Sequence, residues 1–508
     1  MRHIIDPRQN DLFDTYGHTL SKVAFNRLIK SWPGVVRHVI LTQMPVEELG
    51  EHFDPLMGRP STELHSIAGL LLILEFKNWT TEAAADAYMF NVDVLYALNL
   101  GRDNQSMTTR TIERYQRLFR DDELAVKIMD RVSIALVDKL DLDISKQRLD
   151  STHVYSNMAT FTRMMGVVVK RFLTQLKRHH KEAYENLSEE LRQRYCKSEA
   201  GLFTDVKRDK ETRQLLKQQV AEDLYKLIET YAFEEKVNNR SSYKDMVVVF
   251  AQQCDVIDDA VSVKKKTGGE VMQNPSDPDA TYDGHKGPGY QVQLSETYSE
   301  ENEVQHITCA IPEQAHEPDS AALKKMVDDL GKKDLLPNEM LADTHYGSDE
   351  NIQYSKNKGV DQNSPVPGPA PKKKSKRLTK KQKRLNARRK EQRTDQWGER
   401  YSPRAGIEGT NSSIKRKTGL GKLRVRGAAS MYHAILMRIA GWNILRAACS
   451  KKMQKIIKKY RGESSLKARL DGRGVLIRVS WAIWKVMSGR FLNYRVGIRP
   501  DQIFCPAP

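Results

Sequence analysis

Five polar side chains share one stripe in the run YSPRAGIEGTNSSIK: Tyr401, Arg404, Glu408, Asn411 and Lys415. From Arg404, the last three lie at offsets of four, seven and eleven residues. A 3.6-residue period brings such offsets to one helix face. Ser402 is placed to cap the first turn, and Pro403 suits the first helical position, where a missing N–H costs nothing. Tyr401 then sits just outside the cap, at the head of the stripe. The stripe surrounds one carboxylate with a guanidinium, an amide, an ammonium and a phenol. Taken alone, it also reads as a solvated face with an Arg404–Glu408 ion pair. Gly406 and Gly409 flank the glutamate and weaken a helix, yet they suit the close approach of another backbone.

Two upstream aspartates are each expected at the end of a strand: Asp150 in RLDSTHV and Asp343 in NEMLADTHYG. Asp150, Asp343 and Glu408 together meet a specific chemical need. Mg²⁺ prefers oxygen ligands and keeps some of its waters, so two or three carboxylates suffice as protein ligands. Two such ions about 4 Å apart can activate a water and stabilise the leaving oxygen of a phosphodiester. Asp277, Asp279 and Asp283 compete for this role, but they lie in a Pro/Gly-rich stretch and are assigned to turns. His153 points to the strand face opposite Asp150 and reads as a packing or hydrogen-bonding residue. His345 shares a face with Asp343 only if the strand continues, which the turn at Tyr346-Gly347 argues against. His179 and His180 sit in a basic helix and are expected to be exposed.

The elements that must position these groups can be read in order. Residues 1–130 form a helical domain, with Thr80 and Thr81 opening one helix and the Ser/Thr-rich start of SMTTRTIERYQRLF opening an Arg-rich one. This domain is either a DNA-binding helix-turn-helix or a unit that only packs against the core or a second subunit. Residues 131–159 move toward strand around Asp150. Residues 160–265 are a charged helical insertion. Residues 266–360 hold two alternating runs, Tyr290–Leu294 and Val304–Ile311, expected as an antiparallel pair. A helix from Asp319 to Leu330 follows, with Leu323, Met326, Val327 and Leu330 on one face, and then the short strand ending at Asp343. Residues 361–400 read as a linker, Pro-rich and then basic. Residues 401–450 carry the polar stripe and an apolar helix with Met431, Ile435, Ile439, Trp442 and Leu445. Residues 451–508 are a basic extension with no assigned role.

The chain has 508 residues and a formal charge of +18. Between Lys372 and Arg393 there are 13 Lys or Arg and one acid, Glu391, so this segment supplies most of the charge. Such density points to a polyanion, most often nucleic acid, or to a solubilising linker. Trp397 and Tyr401 place aromatics beside these cations, as nucleic-acid sites often do. The five cysteines are scattered singly, without zinc-ligand spacing, which argues against a disulfide framework and a structural zinc site. No signal peptide is visible, and the longest apolar run, Ser66–Leu74, is too short to span a bilayer. A soluble, cytoplasmic protein is expected.

The spacing Tyr401-x2-Arg404-x3-Glu408-x6-Lys415 resembles the signature of the YREK group of DDE transposases from bacterial insertion sequences. RLDSTHV resembles the first-aspartate motif of that family. The strand order, with acids ending the first and fourth strands and a later helical glutamate, is that of a ribonuclease-H-like fold. The resemblance implies an α/β core, a mixed sheet flanked by helices, preceded by a helical domain and interrupted by the long insertion. It implies that Asp150 bridges two Mg²⁺ (or Mn²⁺) ions, while Asp343 and Glu408 each hold one. Arg404 and Lys415 would then neutralise phosphate oxygens, and Tyr401 would stack or hydrogen-bond beside the DNA. The implied reaction is hydrolysis at transposon ends followed by strand transfer. The partners would be terminal inverted repeats and target DNA, bound by a homodimer. Two other readings use the same residues: a non-catalytic DNA-binding protein derived from a transposase, and a structure-specific nuclease of the same fold. The long basic linker and tail depart from the family pattern and leave the mode of end recognition open.

Overall fold

The computed structural model describes residues 1–8, 16, 19–101, 105–156, 161–196, 210–257, 260–264, 268–274, 277–368 and 378–464. Residues 372–377 of the basic run, residues 465–508 of the extension and Cys505 lie outside the described residues.

The apolar run beginning at Ser66 becomes the helix Leu64–Phe76, all of whose residues are buried. A helix apolar on every side must lie inside a protein. Glu63 starts it by accepting from the backbone N–H groups of His65 and Ser66. Thr80 and Thr108 cap the helices Thr81–Phe90 and Thr109–Asp121. The latter buries Ile112, Tyr115 and Phe119 and leaves its arginines outside. The next helix, Leu124–Leu140, extends through residues expected to turn toward strand and ends at Asp141, which adopts a left-handed conformation. No helix among the described residues is long and apolar enough to cross a membrane.

The sheet begins with β1 (Lys146–Tyr155), the long strand that carries Asp150. It continues through β4 (Thr281–Asp283), β5 (Gly287–Thr297), β6 (Ile307–Gln314), β7 (Glu339–Leu341) and β8 (Asp361–Asn363). In space the main order is β6-β5-β1-β7-β8, and β4 also pairs with β5. The pairs β6–β5 and β5–β1 are antiparallel, whereas β1–β7 and β7–β8 are parallel. Three antiparallel strands followed by two parallel ones, with helices on both faces, make a ribonuclease-H-like α/β sheet. The helix Asp319–Lys332 buries Leu323, Met326, Val327 and Leu330 against one face, beside Leu149 of β1. The opposite face, with Val154, Val292 and Leu294, shares a continuous core with the N-terminal helices. The helix Ala428–Cys449 links them, packing on Leu64–Phe76, Leu124–Leu140 and β6.

β8 lies inside the stretch read as linker. Its residues, Asp-Gln-Asn, carry no strand signal, and the ladder with β7 makes them a strand. The basic run is also partly packed. Its helix Lys380–Glu391 starts with a capping box at Thr379 and Gln382. Arg384 Nε donates to Asp349 Oδ1 at 3.0 Å, and Arg388 donates to the carbonyls of Gly347 and Ser364.

The insertion contains helices Phe161–His179, Lys210–Tyr231 and Ser241–Gln253, joined around a separate core that includes Val169, Phe172, Leu224 and Met246. It ends in a hairpin that the charged pattern did not reveal, β2 (Cys254–Ile257) with β3 (Ala260–Val263). His179 is exposed, and His180 accepts from Arg240 Nε at 3.2 Å.

Candidate active site

Two neighbouring parallel strands bring the aspartates together. In the β1–β7 ladder, Arg148 stands opposite Leu341. Two residues further along each strand are Asp150 and Asp343. The ladder hydrogen bonds of β7 end at Leu341, but the backbone stays extended through Asp343 (φ −74°, ψ −178°), and Ala342 still bonds to Asn363 of β8. Adjacent strands lie about 4.8 Å apart, so the two aspartates sit side by side at the carboxyl ends of the parallel pair. Asp343 is therefore the cap of the turn Thr344–Tyr346 rather than the last strand residue. Its Oδ1 accepts from the His345 N–H at 2.7 Å. His345 turns with the chain, remains exposed, and brings Nδ1 to 3.3 Å from Asp343 Oδ2.

The stripe is helical, but it does not begin at Ser402. A helix capped by Thr394 spans Asp395–Tyr401, a 3₁₀ turn covers Ser402–Ala405, and the helix Gly406–Thr418 follows. Pro403 is accommodated by the tighter turn. Ser402 Oγ donates back to the Glu399 carbonyl instead of capping. From this helical stretch two donors reach Asp150. Arg404 Nη2 donates to Oδ1 and Asn411 Nδ2 to Oδ2, each at 3.0 Å. Arg404 Nη1 also donates to Glu408 Oε1 at 2.8 Å. The guanidinium thus stands between Asp150 and Glu408, and the Arg404–Glu408 ion pair expected of a solvated face is present beside the contacts to Asp150. Glu408 is 64% exposed, whereas Asp150 is 15% exposed.

Tyr401 donates to the Ala342 carbonyl at 3.1 Å, next to Asp343, and stacks on Trp397 with ring centroids 4.6 Å apart. Lys415 is half-buried on the same helix and forms no ion pair among the described residues. Burial pushes its pKa down; repulsion from Lys286 adds to this, and attraction to Asp150 opposes it. Lys286 Nζ reaches Ser151 Oγ at 2.6 Å, beside Asp150 in sequence, and Asp319 Oδ2 at 3.4 Å.

A second set of contacts holds the helix in place. Gly406 lets the Arg148 guanidinium pass; a Cβ there would collide with it. The close neighbour is thus a side chain rather than another backbone, and nothing approaches Gly409 within 4 Å. Arg148 donates to the Pro403 carbonyl at 2.7 Å and to Glu296 Oε2 at 2.8 Å, while Thr410 donates to Glu296 Oε1. At the other end, buried Arg438 donates to the Thr418 carbonyl, to Asn78 and to buried Glu75. Gly419 ends the helix at φ +71°, where a Cβ would also press on Asn78. Asp277 and Asp279 are turn residues, and they also hold the start of Ala428–Cys449 by accepting from the N–H groups of Gly427 and Ala428. His153 Nε2 lies 3.1 Å from the Pro288 carbonyl, a local hydrogen-bonding role.

Of the residues outside the first selection, Asn411 had a signal, its place on the stripe. Arg148 opens the run RLDSTHV around Asp150. Lys286 and Asp319 had no local signal, because only the folded sheet brings them near.

The electrostatics concentrate on Asp150. Burial raises its pKa to about 6; Arg404 opposes this, and Asp343 and Asp319 add to it. Tyr401 is raised mainly by burial. For Arg404, burial works against the charge, but Asp150 and the other nearby anions outweigh it and raise its pKa. The oxygen-only donors fit a hard divalent cation in type, and the buried Asp150 carboxylate, whose charged form burial disfavours, is one that a cation would stabilise. Among the described residues, no group of three or more His, Cys, Asp or Glu side chains is gathered as a metal site. Glu408 is held toward Arg404.

Comparison with known proteins gives one positive finding. Residues 253–444 match the family model described as Transposase DDE domain. The match takes in β5 to β8, Asp343 and the helix bearing Glu408, and it begins after β1 and Asp150. Searches of curated proteins and of solved structures returned no match. The ribonuclease-H-like sheet and the matched region together place a transposase DDE domain in residues 253–444 of this chain.

Proposed function

We propose that the protein is a transposase of the YREK insertion-sequence group, which binds transposon ends, hydrolyses a phosphodiester there and joins the freed 3′-hydroxyl to target DNA. The observation that carries this reading is the convergence on Asp150: Asp343 beside it, Arg404 reaching it from the 3₁₀ turn that precedes the helix of Glu408, and Asn411 reaching it from that helix. Asp150, Asp343 and Glu408 would hold divalent cations, two Mg²⁺ ions (or Mn²⁺) in each site, which when bound supply an activated water and stabilise the leaving oxygen. Asn411 orients the Asp150 carboxylate. Arg404 joins Asp150 to Glu408 and keeps a positive charge beside the cut. Lys415, a half-buried ammonium with no ion-pair partner among the described residues, binds a phosphate oxygen. Tyr401, fixed to Ala342 and stacked on Trp397, presents an aromatic edge to the DNA. Joining two ends in concert calls for a dimer on DNA, and the expected setting is the bacterial cytoplasm.

The test is cleavage of a plasmid carrying the gene's own flanking DNA, with Mg²⁺, by wild type and Glu408→Gln. Mg²⁺-dependent cuts at both flanks, lost in the variant while DNA binding persists, are expected. Equal binding by both proteins with no cutting by either would favour the non-catalytic DNA-binding reading. Cuts that follow DNA structure rather than the flanks would favour a nuclease.

A further inference from the structure

The ladder between β1 and β7 ends at Arg148 and Leu341, two residues short of Asp150 and Asp343. Ala342 bonds onward to β8, on the side away from β1. A different tie spans the gap. Tyr346, in the turn after Asp343, is fully buried and donates its hydroxyl to Gln293 Oε1. Gln293 is on β5, directly opposite Ser151 of β1. The order in space is β5-β1-β7, so the Tyr346 phenol passes under β1 at the residue next to Asp150. Gln293 is itself fully buried, and its Nε2 donates to Asp319 Oδ1 at 2.8 Å and to Glu313 Oε2 at 3.2 Å. Both acceptors are carboxylates, which fixes the amide with its nitrogen toward the acids and its oxygen toward the phenol. Asp319 in turn meets Lys286, which donates to Ser151 Oγ at 2.6 Å. These links run from the turn of Asp343 back to the strand of Asp150. Burial pushes the Tyr346 pKa up, and Asp319, Asp150 and Asp343 add to it, so the hydroxyl stays a donor amid the three acids.

We infer that Gln293 is a positioning residue of the cation site: through Tyr346 it fixes the turn after Asp343 against β1 and so sets the separation of the Asp150 and Asp343 carboxylates. The inference rests on the proposed function in taking these two aspartates as cation ligands. Mg²⁺ demands oxygen ligands at about 2.0–2.1 Å in near-octahedral geometry, so small shifts of a ligand matter. The backbone ladder stops before the two aspartates, and the buried side-chain links begin where it stops. A buried polar network whose bonds are all made is stiff. Groups that hold ligands from behind are worth about 10–100-fold in metal affinity.

The test is Mn²⁺ binding by the full-length protein without DNA, read from the electron paramagnetic resonance of the free ion. The proteins are wild type, Tyr346→Phe, Gln293→Met, their double variant, Asp343→Asn and Tyr354→Phe. Tyr346→Phe deletes one hydroxyl and keeps the ring, and it should weaken binding about 10-fold or more. Gln293→Met should do the same, and the double variant should bind no worse than Gln293→Met alone, because both changes cut one link. Tyr354→Phe removes a hydroxyl bonded to Asp328, on the far half of the helix Asp319–Lys332, and should bind as wild type does. A merely structural role would lower the unfolding temperature and leave the affinity of the folded protein unchanged. That outcome in Tyr346→Phe overturns the inference, even where Gln293→Met fails to fold. Plasmid cutting gives a second readout: Tyr346→Phe should need about 10-fold more Mg²⁺ for half its maximal rate and recover at high Mg²⁺, and an unchanged requirement overturns the inference. This readout decides if wild type cuts but binds no Mn²⁺ without DNA. Asp343→Asn separates the two proposals. If it loses Mn²⁺ while Tyr346→Phe binds normally, only the positioning role falls. If it binds as wild type does, or wild type neither binds nor cuts, the cation reading falls and takes the positioning role with it.

Discussion

Arg438 and Glu75 offer a demanding test of how the helix Gly406–Thr418 is held. They are 4% exposed each, and Arg438 Nε lies 3.2 Å from Glu75 Oε2. Burial raises the pKa of Glu75 and lowers that of Arg438, against their mutual attraction. The same guanidinium donates to Asn78 and to the Thr418 carbonyl, the last turn of the helix that carries Glu408, Asn411 and Lys415. Arg438→Met leaves Glu75 as an uncompensated buried charge and takes the donor from two acceptors. Removing one partner of a buried pair costs about 3–5 kcal/mol. Glu75→Gln strands the cation and should cost a similar amount. The double variant removes both charges, so its cost should fall short of the sum of the singles by about 2–3 kcal/mol. Urea unfolding of the four proteins gives this coupling directly. Hydrogen exchange adds a local readout: amides of residues 414–418 should exchange faster in Arg438→Met than in wild type, under conditions where both are folded. Additive single-variant costs, or a loss below about 1 kcal/mol for Arg438→Met, would refute the clamp.

Two further outcomes follow from the site. Gly406→Ala sets a methyl against the Arg148 guanidinium and, after the gain in helix propensity, should cost about 1–2 kcal/mol in thermal or urea unfolding, whereas Gly409→Ala, with nothing near the added Cβ, should gain about 0.5–1 kcal/mol; equal effects would mean that Gly406 has no special role. Asp150 is raised from its ordinary 3.8 to about 6, so between these values the folded state binds more protons than the unfolded one, and stability falls as pH rises through that window. In chelator, wild type should lose about 3 kcal/mol between pH 4 and pH 7 that Asp150→Asn does not lose, read by urea unfolding at each pH. Parallel pH profiles for the two proteins would refute it.

What the sequence disclosed followed the physics of each signal. The stripe from Arg404 to Lys415 was legible because helical periodicity is local, and Asn411 and Arg404 do meet Asp150 from it. The sheet was legible where strands alternate, as at Tyr290–Leu294, or carry β-branched residues, as around Asp150. It was illegible at β8, whose polar residues become a strand only through the ladder to β7. The helix boundary at Ser402 failed for a related reason. Ser-Pro is a sound start signal, but the preceding Asp395–Tyr401 had its own cap in Thr394, and a 3₁₀ turn absorbed the proline between two helices. The linker reading missed the docking of Arg384 and Arg388, since charge density says nothing of a waiting Asp349 or of free carbonyls at Gly347 and Ser364. The same limit hid Lys286 and Asp319. Their place near Asp150 depends on strands far apart in the chain, and no spacing rule reaches across the insertion that separates them. The groups of the site that lie on one helix were thus readable as a pattern. Those contributed by the sheet required the register of β1 with β7, which sets two aspartates 193 residues apart beside one another.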